Sequence, residues 1–536
     1  MVKKEIQMYK LPPIETLSTA QKAGQLFMPA AFINDTEEEI QKLERLIRNH
    51  HIGSLCFFHS RASAATNFEG KKKIIRNEKS IERLKKLIIR YQMASEIPLL
   101  MAIDAEWGLA MRVENSPQYP YFITLGALQD QDEHIFEVGN NIGLDCKEVG
   151  IHWNLAPVID INTNPKNPVI GYRAFGDQKE EIVTKATAFL DGMKNAGVLN
   201  SLKHFPGHGD TDIDSHLGLP VIDKSEKELF KNELYPFQEL IKQDVDSVMV
   251  AHLSIPQLDD SENPSTTSKK VITGLLRKKL QYDGVIISDA LNMHAVSKRY
   301  PGRGTLEAAA FEAGIDVLCF SENPIEGIKK VMQTQKKKRI EESVKRIWKL
   351  KRKAFETYSR KDKKRKNTCA ELNGKIAKNC ITELNLNIST FNRAKKDGFL
   401  NISYGNPKKN KFSIGLEKEF GQVHYILNPK SKDNLFNLAK HYKSIVLALF
   451  PPSNKPKNQF GFKPEILAIL QELLTKNEVI LYLFGSPYVL NILPDVTRPG
   501  IVLVYQDFPE FQEVALQHFL GNISAKGQFP IQLKNY

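Results

Sequence analysis

The stretch VLNSLKHFPGHGDTDIDSH, residues 198–216, contains the transition that decides the fold. It begins as a short apolar run typical of a buried strand and then changes abruptly into a polar segment. Residues 203–216 hold three His, three Asp and one Lys. A protein core disfavours so many ionisable groups together, and Gly207 and Gly209 permit a tight loop. The stretch therefore predicts a buried strand whose carboxyl end carries a functional site.

Eight such apolar runs occur in the first 320 residues, separated by segments of helical periodicity. They span residues 25–31, 52–58, 98–104, 151–158, 198–204, 247–253, 284–289 and 316–320. Short strands that alternate with helices are typical of a parallel α/β sheet, and eight such units fit a (β/α)8 TIM-type barrel with insertions. An open, doubly wound sheet is the structural alternative. In a barrel, polar residues at the carboxyl ends of the strands lie on the active-site face.

The chain is too long for one compact domain, and its pattern predicts three parts. Residues 1–355 form the catalytic barrel, 356–393 a basic linker, and 394–536 a smaller α/β sandwich domain. In the last part, apolar runs at 443–450, 478–485 and 500–505 alternate with helical patterns at 464–476 and 509–520. The last part has no concentrated cluster of His, Cys or Asp, so its sequence suggests no chemistry.

The net charge of +13 comes from one tract. Residues 329–366 hold 18 Lys and Arg against 4 acidic residues, which leaves the rest of the chain nearly neutral. The tract begins with helical spacing and has few aromatic side chains among its charges. We therefore interpret it as a connecting helix and loop, and we expect no nucleic-acid partner. Whether the tract also binds an anionic surface is an open question at this point.

Composition excludes several other classes of protein. Hydrophobic residues make up 41% and charged residues 26%, as in ordinary globular chains. We expect no transmembrane segment, because no stretch approaches roughly 18 to 20 apolar residues. The five cysteines are widely spaced and odd in number, which favours a reducing compartment. We expect a cytoplasmic protein, or a periplasmic or surface-anchored one if a signal peptide was trimmed. The oligomeric state is unknown.

The polar segment has spacing that only superficially suits a metal ion. Asp210, Asp212 and Asp214 alternate as at the start of a calcium loop. However, Ser215 and Val221 stand where such a loop needs Gly and Glu, so the match fails.

The same segment contains a candidate acid/base pair. Asp214 and His216 are separated by one residue, and in an extended loop their side chains point to the same side. A carboxylate beside an imidazole orients the ring and favours its protonated form, which suits a general acid and base. Lys203 and His204 provide a third, compatible chemistry, the stabilisation of an oxyanion or a phosphate.

Carboxylates also end two other predicted strands. Asp289 follows GVIIS, and Asp104 follows PLLMAI. An isolated Asp at the position of Asp289 is better explained as a helix N-cap, but beside an acid/base group it becomes a candidate nucleophile. Arg112 follows Asp104 by eight residues, and Arg173 follows the strand at 151–158. Together these residues predict a polar pocket able to bind hydroxyl groups and an amide.

At these residues the sequence resembles glycoside hydrolase family 3, in its β-N-acetylglucosaminidase branch. The segment KHFPGHGDTDIDSH at 203–216 looks like the signature of that branch, and further stretches agree in the same order. They are IDAEWGLAMR at 103–112, NLAPVIDINTNPKNPVIGYRAFG at 154–176, VMVAHL at 248–253, GVIISDALNM at 284–293 and GNISAKGQFPIQL at 521–533. The resemblance is strong to about residue 350 and weak after residue 394.

The resemblance implies a retaining, exo-acting β-N-acetylhexosaminidase that removes terminal N-acetylglucosamine from muropeptides or chitin-type oligosaccharides, as in peptidoglycan recycling. Asp289 would be the nucleophile, and His216, paired with Asp214, would be the acid and base. Asp104 would accept hydrogen bonds from sugar hydroxyls. The other residues that match sugar-holding positions are Arg112, Arg173, Lys203 and His204. The expected partner is the carbohydrate substrate, with no cofactor and no metal.

The sequence departs from the family pattern after Asp104. The family commonly has Gln-Glu-Gly-Gly there, whereas this chain has Ala105, Glu106, Trp107 and Gly108. The Trp107 ring either stacks on the aglycone sugar or packs under the loop, so the aglycone preference is open.

Three other functions are alternatives. A β-N-acetylglucosaminide phosphorylase is one, because a neutral His repels incoming phosphate less than a carboxylate does. A metallohydrolase would use His204, His208 and the Asp cluster. A catalytically silent binding protein is the third, and the intact set of Asp214, His216 and Asp289 argues against it.

Overall fold

The computed structural model describes residues 10–61, 79–212, 218–261, 263–358, 364–386, 388–405, 410–493 and 499–532. These residues fall into two units. The first comprises Met1–Tyr119, Phe136–Ile161 and Ala186–Lys366. The second comprises Pro120–Ile135, Asn162–Lys185 and Asn367–Tyr536.

Short parallel strands build the first unit. They are β1 (Phe27–Met28), β2 (Ala30–Phe32), β3 (Ser54–Phe58), β4 (Leu100–Ile103), β5 (Trp153–Asn154), β6 (Leu202–Phe205), β7 (Ser247–Val250), β8 (Val285–Ser288) and β9 (Leu318–Cys319). β1 pairs with β9, β2 to β5 pair in sequence order, and β6 to β8 do the same. All of these pairings are parallel.

Isolated parallel bridges join these sheets into a ring. Val158 bridges to Lys203 and so links the segment after β5 to β6, and Ile287 in β8 bridges to Val317 just before β9. β1 and β2 form one strand interrupted at Pro29, so the ring contains eight strands. The predicted barrel is confirmed, and the doubly wound alternative is wrong because the sheet closes. Each predicted apolar run overlaps an observed strand that is buried throughout or nearly so.

Helices alternate with the barrel strands. They are Thr19–Gly24, Glu37–His50, Ser80–Met93, Asp132–Val149, Lys179–Ala196, Glu226–Lys231, Tyr235–Ile241, the π-helix Lys270–Lys279, His294–Ser297, Thr305–Ala313, Pro324–Thr334 and Lys337–Tyr358. Glu37–His50 illustrates how the sequence sets them. Thr36 caps the first turn by accepting from the Glu39 N–H, and Ile40, Leu43 and Ile47 form its buried face.

The second unit contains a six-stranded sheet. Its strands are β10 (Thr382–Leu384), β11 (Phe399–Tyr404), β12 (His424–Ile426), β13 (Ser444–Leu449), β14 (Glu478–Leu483) and β15 (Gly500–Leu503). The order is β10-β15-β14-β13-β11-β12, with only the edge strand β10 antiparallel. Its helices are Phe122–Gly126, Cys369–Cys380, Ile388–Asp397, Lys411–Phe420, Lys432–Ala439, Lys457–Phe460, Pro464–Lys476 and Pro509–Leu520. The predicted second α/β domain is therefore present.

The division of the chain differs from the predicted boundaries. The predicted linker, residues 356–393, contains the helix Cys369–Cys380 and the strand β10, both of which belong to the second unit. Thr368 and Glu371 form a capping box at the start of that helix, and its apolar face is buried. The second unit also takes in residues 120–135 and 162–185, which the sequence pattern had assigned to the barrel.

Much of the basic tract belongs to the barrel unit. The helix Lys337–Tyr358 buries an apolar face, and its cations reach acids at the amino-terminal ends of the strands. Arg339 and Arg346 both contact the fully buried Asp316, and Lys353 pairs with Asp246 at 2.6 Å. Part of the positive charge thus neutralises buried carboxylates. Within the described ranges, no helix is both long and apolar enough to span a membrane.

One lysine of this helix is fully buried. Lys351 donates from Nζ to the side-chain oxygen of Gln25 and to the Pro98 carbonyl, each at 2.6 Å. Burial lowers the pKa of Lys351 to about 7. In the unfolded chain a lysine has a pKa of about 10.4. Between these two values the unfolded chain holds a proton that the folded protein has lost, so wild-type stability rises with pH in this window.

We expect Lys351→Met to be more stable than the wild type at pH 6, where burying the charge is costly. At pH 10 the order should reverse, because neutral lysine is no longer penalised and Met cannot replace its two hydrogen bonds. Denaturant unfolding at both pH values measures the difference. The control is Lys349→Met, on the exposed side of the same helix. A difference between Lys351→Met and wild type that does not change with pH would contradict the prediction.

Candidate active site

Polar side chains from several strands converge at one end of the barrel. Asp104 follows β4, Lys203 and His204 lie in β6, and Asp289 follows β8. Because all barrel strands are parallel, their carboxyl ends form one face. The ion pair between Lys203 Nζ and Asp104 Oδ1, at 2.9 Å, joins two strands that are far apart in sequence. The placement of these four predicted residues on one face of the barrel is therefore observed.

Lys203 lies between two carboxylates. Its Nζ contacts Asp104 Oδ1 at 2.9 Å and Glu106 Oε1 at 2.7 Å, and the side chains of Lys203 and Glu106 are almost wholly buried. Arg112 Nη2 reaches the other oxygen of Asp104 at 3.1 Å. Burial alone would raise the pKa of Asp104, but the cations Lys203 and Arg112 hold it below its usual value. Asp104 is thus a fixed, ionised acceptor whose side chain keeps some exposure to the pocket.

Arg112 has capacity left for a ligand. Its guanidinium lies over the ring of Phe58, 5.1 Å from the ring centroid. Its Nε is buried and has no hydrogen-bond partner among the described residues. A buried donor without a partner is costly, so a ligand hydroxyl or carbonyl at this point would satisfy it. Substrate binding by Arg112 stays a prediction.

His204 is held by Asp160, a residue that the sequence reasoning did not identify. The fully buried Asp160 contacts His204 Nδ1 at 2.7 Å and also accepts the backbone N–H groups of His204 and His208. Burial would raise the pKa of Asp160, but His204 and these N–H donors lower it. Burial in turn lowers the pKa of His208 to about 4. Asp160 therefore fixes both the ring of His204 and the start of the polar loop.

Among the described residues, no group of three or more His, Cys, Asp or Glu side chains is arranged to hold a metal ion. His208 Nδ1 lies 2.8 Å from the hydroxyl of Thr211, and the ring of His204 is engaged by Asp160. His208 thus contacts Thr211 within the polar loop, whereas His204 contacts Asp160, which lies after β5.

Asp289 ends β8 as an ionised carboxylate. Its backbone N–H donates to the Val250 carbonyl, and its Oδ1 accepts the N–H of Ala290 at 2.7 Å. Burial would raise the pKa of Asp289, but the electrostatic influence of His204 and His252, together with the Ala290 N–H and Lys203, lowers it to about 2. The helix N-cap explanation is wrong, because residues 290–293 form a turn and the next helix begins at His294 with Met293 as its N-cap. An ionised carboxylate at this place is chemically suited to nucleophilic attack.

The predicted acid/base pair, Asp214 and His216, lies outside the described residues, which stop at 212 and resume at 218. The part of the loop before it is anchored by Lys224, which bridges Asp210 at 2.6 Å and the buried Glu233 at 2.5 Å. The roles of Asp214 and His216 stay predictions from the sequence.

Two other residues singled out in the sequence, Arg173 and Trp107, lie among the described residues. Arg173 belongs to the second unit, where it ends the 3-10 helix Gly171–Arg173 and donates to the Val169 carbonyl at 3.2 Å. Trp107 is half-buried, and its backbone carbonyl accepts the N–H of Tyr119. Sugar binding by Arg173 and aglycone contact by Trp107 stay predictions.

Three residues of the site were missed by sequence reasoning, although each has a signal. Asp160 follows the apolar segment 155–159 directly, in the same way that Asp104 and Asp289 follow their strands. His252 stands two residues after β7, at the same end of the barrel. Glu106 was noted only as part of a departure from the family, but its burial beside Lys203 makes it part of the site.

The amino-acid sequence is similar to those of known proteins. The family model for the glycosyl hydrolase family 3 N terminal domain matches residues 18–350. The chain is 34% identical over 292 residues to "Beta-hexosaminidase A" of Pseudoalteromonas piscicida, covering 52% of this chain and 47% of that protein. It is 35% identical over 250 residues to the "Beta-hexosaminidase" of Idiomarina loihiensis, covering 45% of this chain and 73% of that protein. The chain thus spans about half the length of the first relative.

A solved structure extends the likeness to both units. The glycoside hydrolase family 3 β-N-acetylglucosaminidase from Paenibacillus sp. str. FPU-7 aligns with a TM-score of 0.76 and 26% identity. The alignment covers 97% of this chain and 99% of that one. The likeness therefore includes the second α/β unit as well as the barrel.

Proposed function

The chain belongs to glycosyl hydrolase family 3, and we propose that it is a retaining, exo-acting β-N-acetylhexosaminidase. Its substrates would be muropeptides or chitin-type oligosaccharides that end in N-acetylglucosamine. The observation that carries this proposal is the ionised Asp289 at the carboxyl end of β8, on the same face as the Asp104–Lys203 ion pair. A retaining glycosidase needs a nucleophile and an acid/base group, and Asp289 is suited to the first of these roles.

The sugar would be bound by charged side chains that neighbouring side chains already hold in position. Asp104 would accept hydrogen bonds from sugar hydroxyls, and the guanidinium of Arg112, which keeps some exposure, would donate to the same sugar. Lys203 and His204 would line the side of the pocket next to Asp289. Lys203 is held by Asp104 and Glu106, and His204 is held by Asp160. Such fixed groups lose little freedom when substrate binds.

In the first step, a carboxylate oxygen of Asp289 would attack the anomeric carbon. The bond between that carbon and the leaving oxygen breaks, and His216 gives its proton to this oxygen. The product is a glycosyl ester of Asp289. The Ala290 N–H donates to Oδ1 of Asp289, and no hydrogen bond from another described residue reaches Oδ2. Oδ2 would therefore be the attacking atom.

In the second step, water would replace the departed aglycone. The water oxygen attacks the anomeric carbon while His216 takes a proton from the water, and the ester bond to Asp289 breaks. Two displacements return the β configuration, as in other retaining enzymes. The pair His216–Asp214 would take the place of the second carboxylate that most retaining glycosidases use. The acid/base role of this pair rests on the sequence resemblance.

The names of the relatives support the choice of sugar. Two relatives at 34% and 35% identity are called beta-hexosaminidases, and the Paenibacillus structure is a β-N-acetylglucosaminidase. We propose the same terminal sugar for this chain.

The test is incubation with a 4-nitrophenyl β-glycoside of N-acetylglucosamine, glucose or xylose, with and without inorganic phosphate. We expect nitrophenol release from the N-acetylglucosaminide alone, with free N-acetylglucosamine as the product in both buffers. Release that depends on phosphate and gives the sugar 1-phosphate would identify a phosphorylase instead. Turnover of the glucoside or the xyloside in preference would contradict the proposed substrate.

A further inference from the structure

The pairing between β7 and β8 ends at the nucleophile. The last residues in register are Val250 and Ser288, and the last backbone contact between the strands is the Asp289 N–H to the Val250 carbonyl, at 2.9 Å. Ala290 lies beyond this ladder, and its N–H donates to Asp289 Oδ1. The direction of the Asp289 carboxylate therefore depends on where the backbone of Ala290 is held.

The side chain of His252 continues the connection where the ladder stops. His252 lies two residues after β7, and its Nε2 is 3.0 Å from the Ala290 carbonyl. A carbonyl only accepts, so Nε2 carries the hydrogen. The same carbonyl also accepts the N–H of Met293, which closes a turn after the nucleophile. Ala290 is thus held at its carbonyl from two sides.

The ring of His252 is itself oriented by Thr266. Nδ1 of His252 is 2.5 Å from the Thr266 hydroxyl oxygen. That hydroxyl donates to the Ala251 carbonyl at 2.7 Å, and the same carbonyl accepts from the Ser265 hydroxyl at 2.6 Å. The Thr266 oxygen, fixed in this way, holds Nδ1 on one side of the ring while Nε2 donates to Ala290 on the other. His252 has no exposed surface, so it does not touch a bound sugar.

We propose that His252 is a positioning residue that orients the Asp289 carboxylate through the Ala290 peptide, with Thr266 fixing the ring. The inference rests on the proposed function, in which Asp289 is the nucleophile. Loss of the His252 contact would let the Ala290 peptide and the carboxylate bound to it shift. A misplacement of about 1 Å at a reacting group costs on the order of 10²-fold in rate.

The experiment compares His252→Leu, His252→Gln and Thr266→Val in the full chain with 4-nitrophenyl N-acetyl-β-glucosaminide. Nitrophenolate leaves with little help from an acid, so kcat/KM reports the attack by Asp289. We expect His252→Leu to lower kcat/KM by about 10- to 100-fold, mainly through kcat. His252→Gln should recover most of this loss, because its side-chain N–H can still donate to Ala290. Thr266→Val should fall between Leu and wild type.

The matched control is His152→Gln. His152 is another fully buried histidine of the barrel, and it accepts the Met101 N–H near the opposite ends of the strands. This variant reports any general cost of replacing a buried ring, and it should retain wild-type kcat.

Two results would overturn the proposal. One is a folded His252→Leu variant with wild-type kcat/KM, and the other is a folded His252→Gln variant that is no more active than His252→Leu. If His252→Leu does not fold, Thr266→Val decides, since full activity in that variant contradicts the proposed chain of contacts. If the wild type releases no N-acetylglucosamine, the proposed function fails instead, and that is seen before any variant is made.

Discussion

Replacing Asp289 with Asn is expected to lower kcat/KM for an aryl N-acetyl-β-glucosaminide by about 10⁴-fold. The carboxamide retains an oxygen that can accept the Ala290 N–H, so the side chain keeps its place. It has no negative charge with which to attack the anomeric carbon. The strongly depressed pKa of Asp289, about 2, means that the wild-type residue is ionised throughout the neutral range and that the loss does not depend on pH there.

Steady-state assays of the purified variant measure this effect. The control is Asp283→Asn, since Asp283 is exposed just before β8 and lies at the opposite end of the same strand. It should retain full activity. A folded Asp289→Asn variant with more than about a tenth of wild-type activity would be incompatible with a nucleophilic role, because loss of a nucleophile costs far more than tenfold.

The second large effect is expected for Lys203→Met. This change leaves Asp104 and the buried Glu106 without the cation that lies between them, and removing one partner of a buried ion pair costs about 3 to 5 kcal/mol of stability. We also expect kcat/KM to fall by about 10²-fold or more, because Asp104 loses one of the two cations that hold it as an ionised acceptor. Without Lys203, the pKa of Asp104 rises, so the residual activity should increase with pH.

The double variant Lys203→Met with Glu106→Gln separates stability from catalysis. Removing the second carboxylate should restore much of the lost unfolding free energy, since one buried negative charge is eliminated. It should not restore kcat/KM, because Lys203 is still missing from the pocket. Thermal unfolding and steady-state kinetics on both variants make the comparison. Wild-type stability together with wild-type activity in Lys203→Met would refute the assigned ion-pair arrangement.

The barrel was predictable because its signals are local. Each strand is a continuous apolar run, and Asp104, Lys203 and Asp289 stand at the point where such a run changes into polar sequence. In a parallel barrel this position alone places them on one face. The acid/base pair Asp214–His216 was predicted from the same local pattern, and the described residues do not include it.

The rest depends on contacts between distant parts of the chain. Nothing near Asp160 in the sequence indicates that its partner is His204, and the burial of Glu106 becomes meaningful only beside Lys203. The extent of the second unit was missed for a similar reason. Its edge strand β10 has only three residues and pairs with β15, which lies more than a hundred residues later in the chain.

The most direct test of the central claim is to trap the glycosyl-enzyme. The wild-type protein would be treated with a 5-fluoro N-acetylglucosaminyl fluoride, which forms the ester quickly and releases it slowly, and then digested and analysed by mass spectrometry. We predict one added sugar on the peptide that contains Asp289, and none on the Asp289→Asn variant. A sugar attached to a different residue, or continued turnover with no covalent adduct at all, would contradict it.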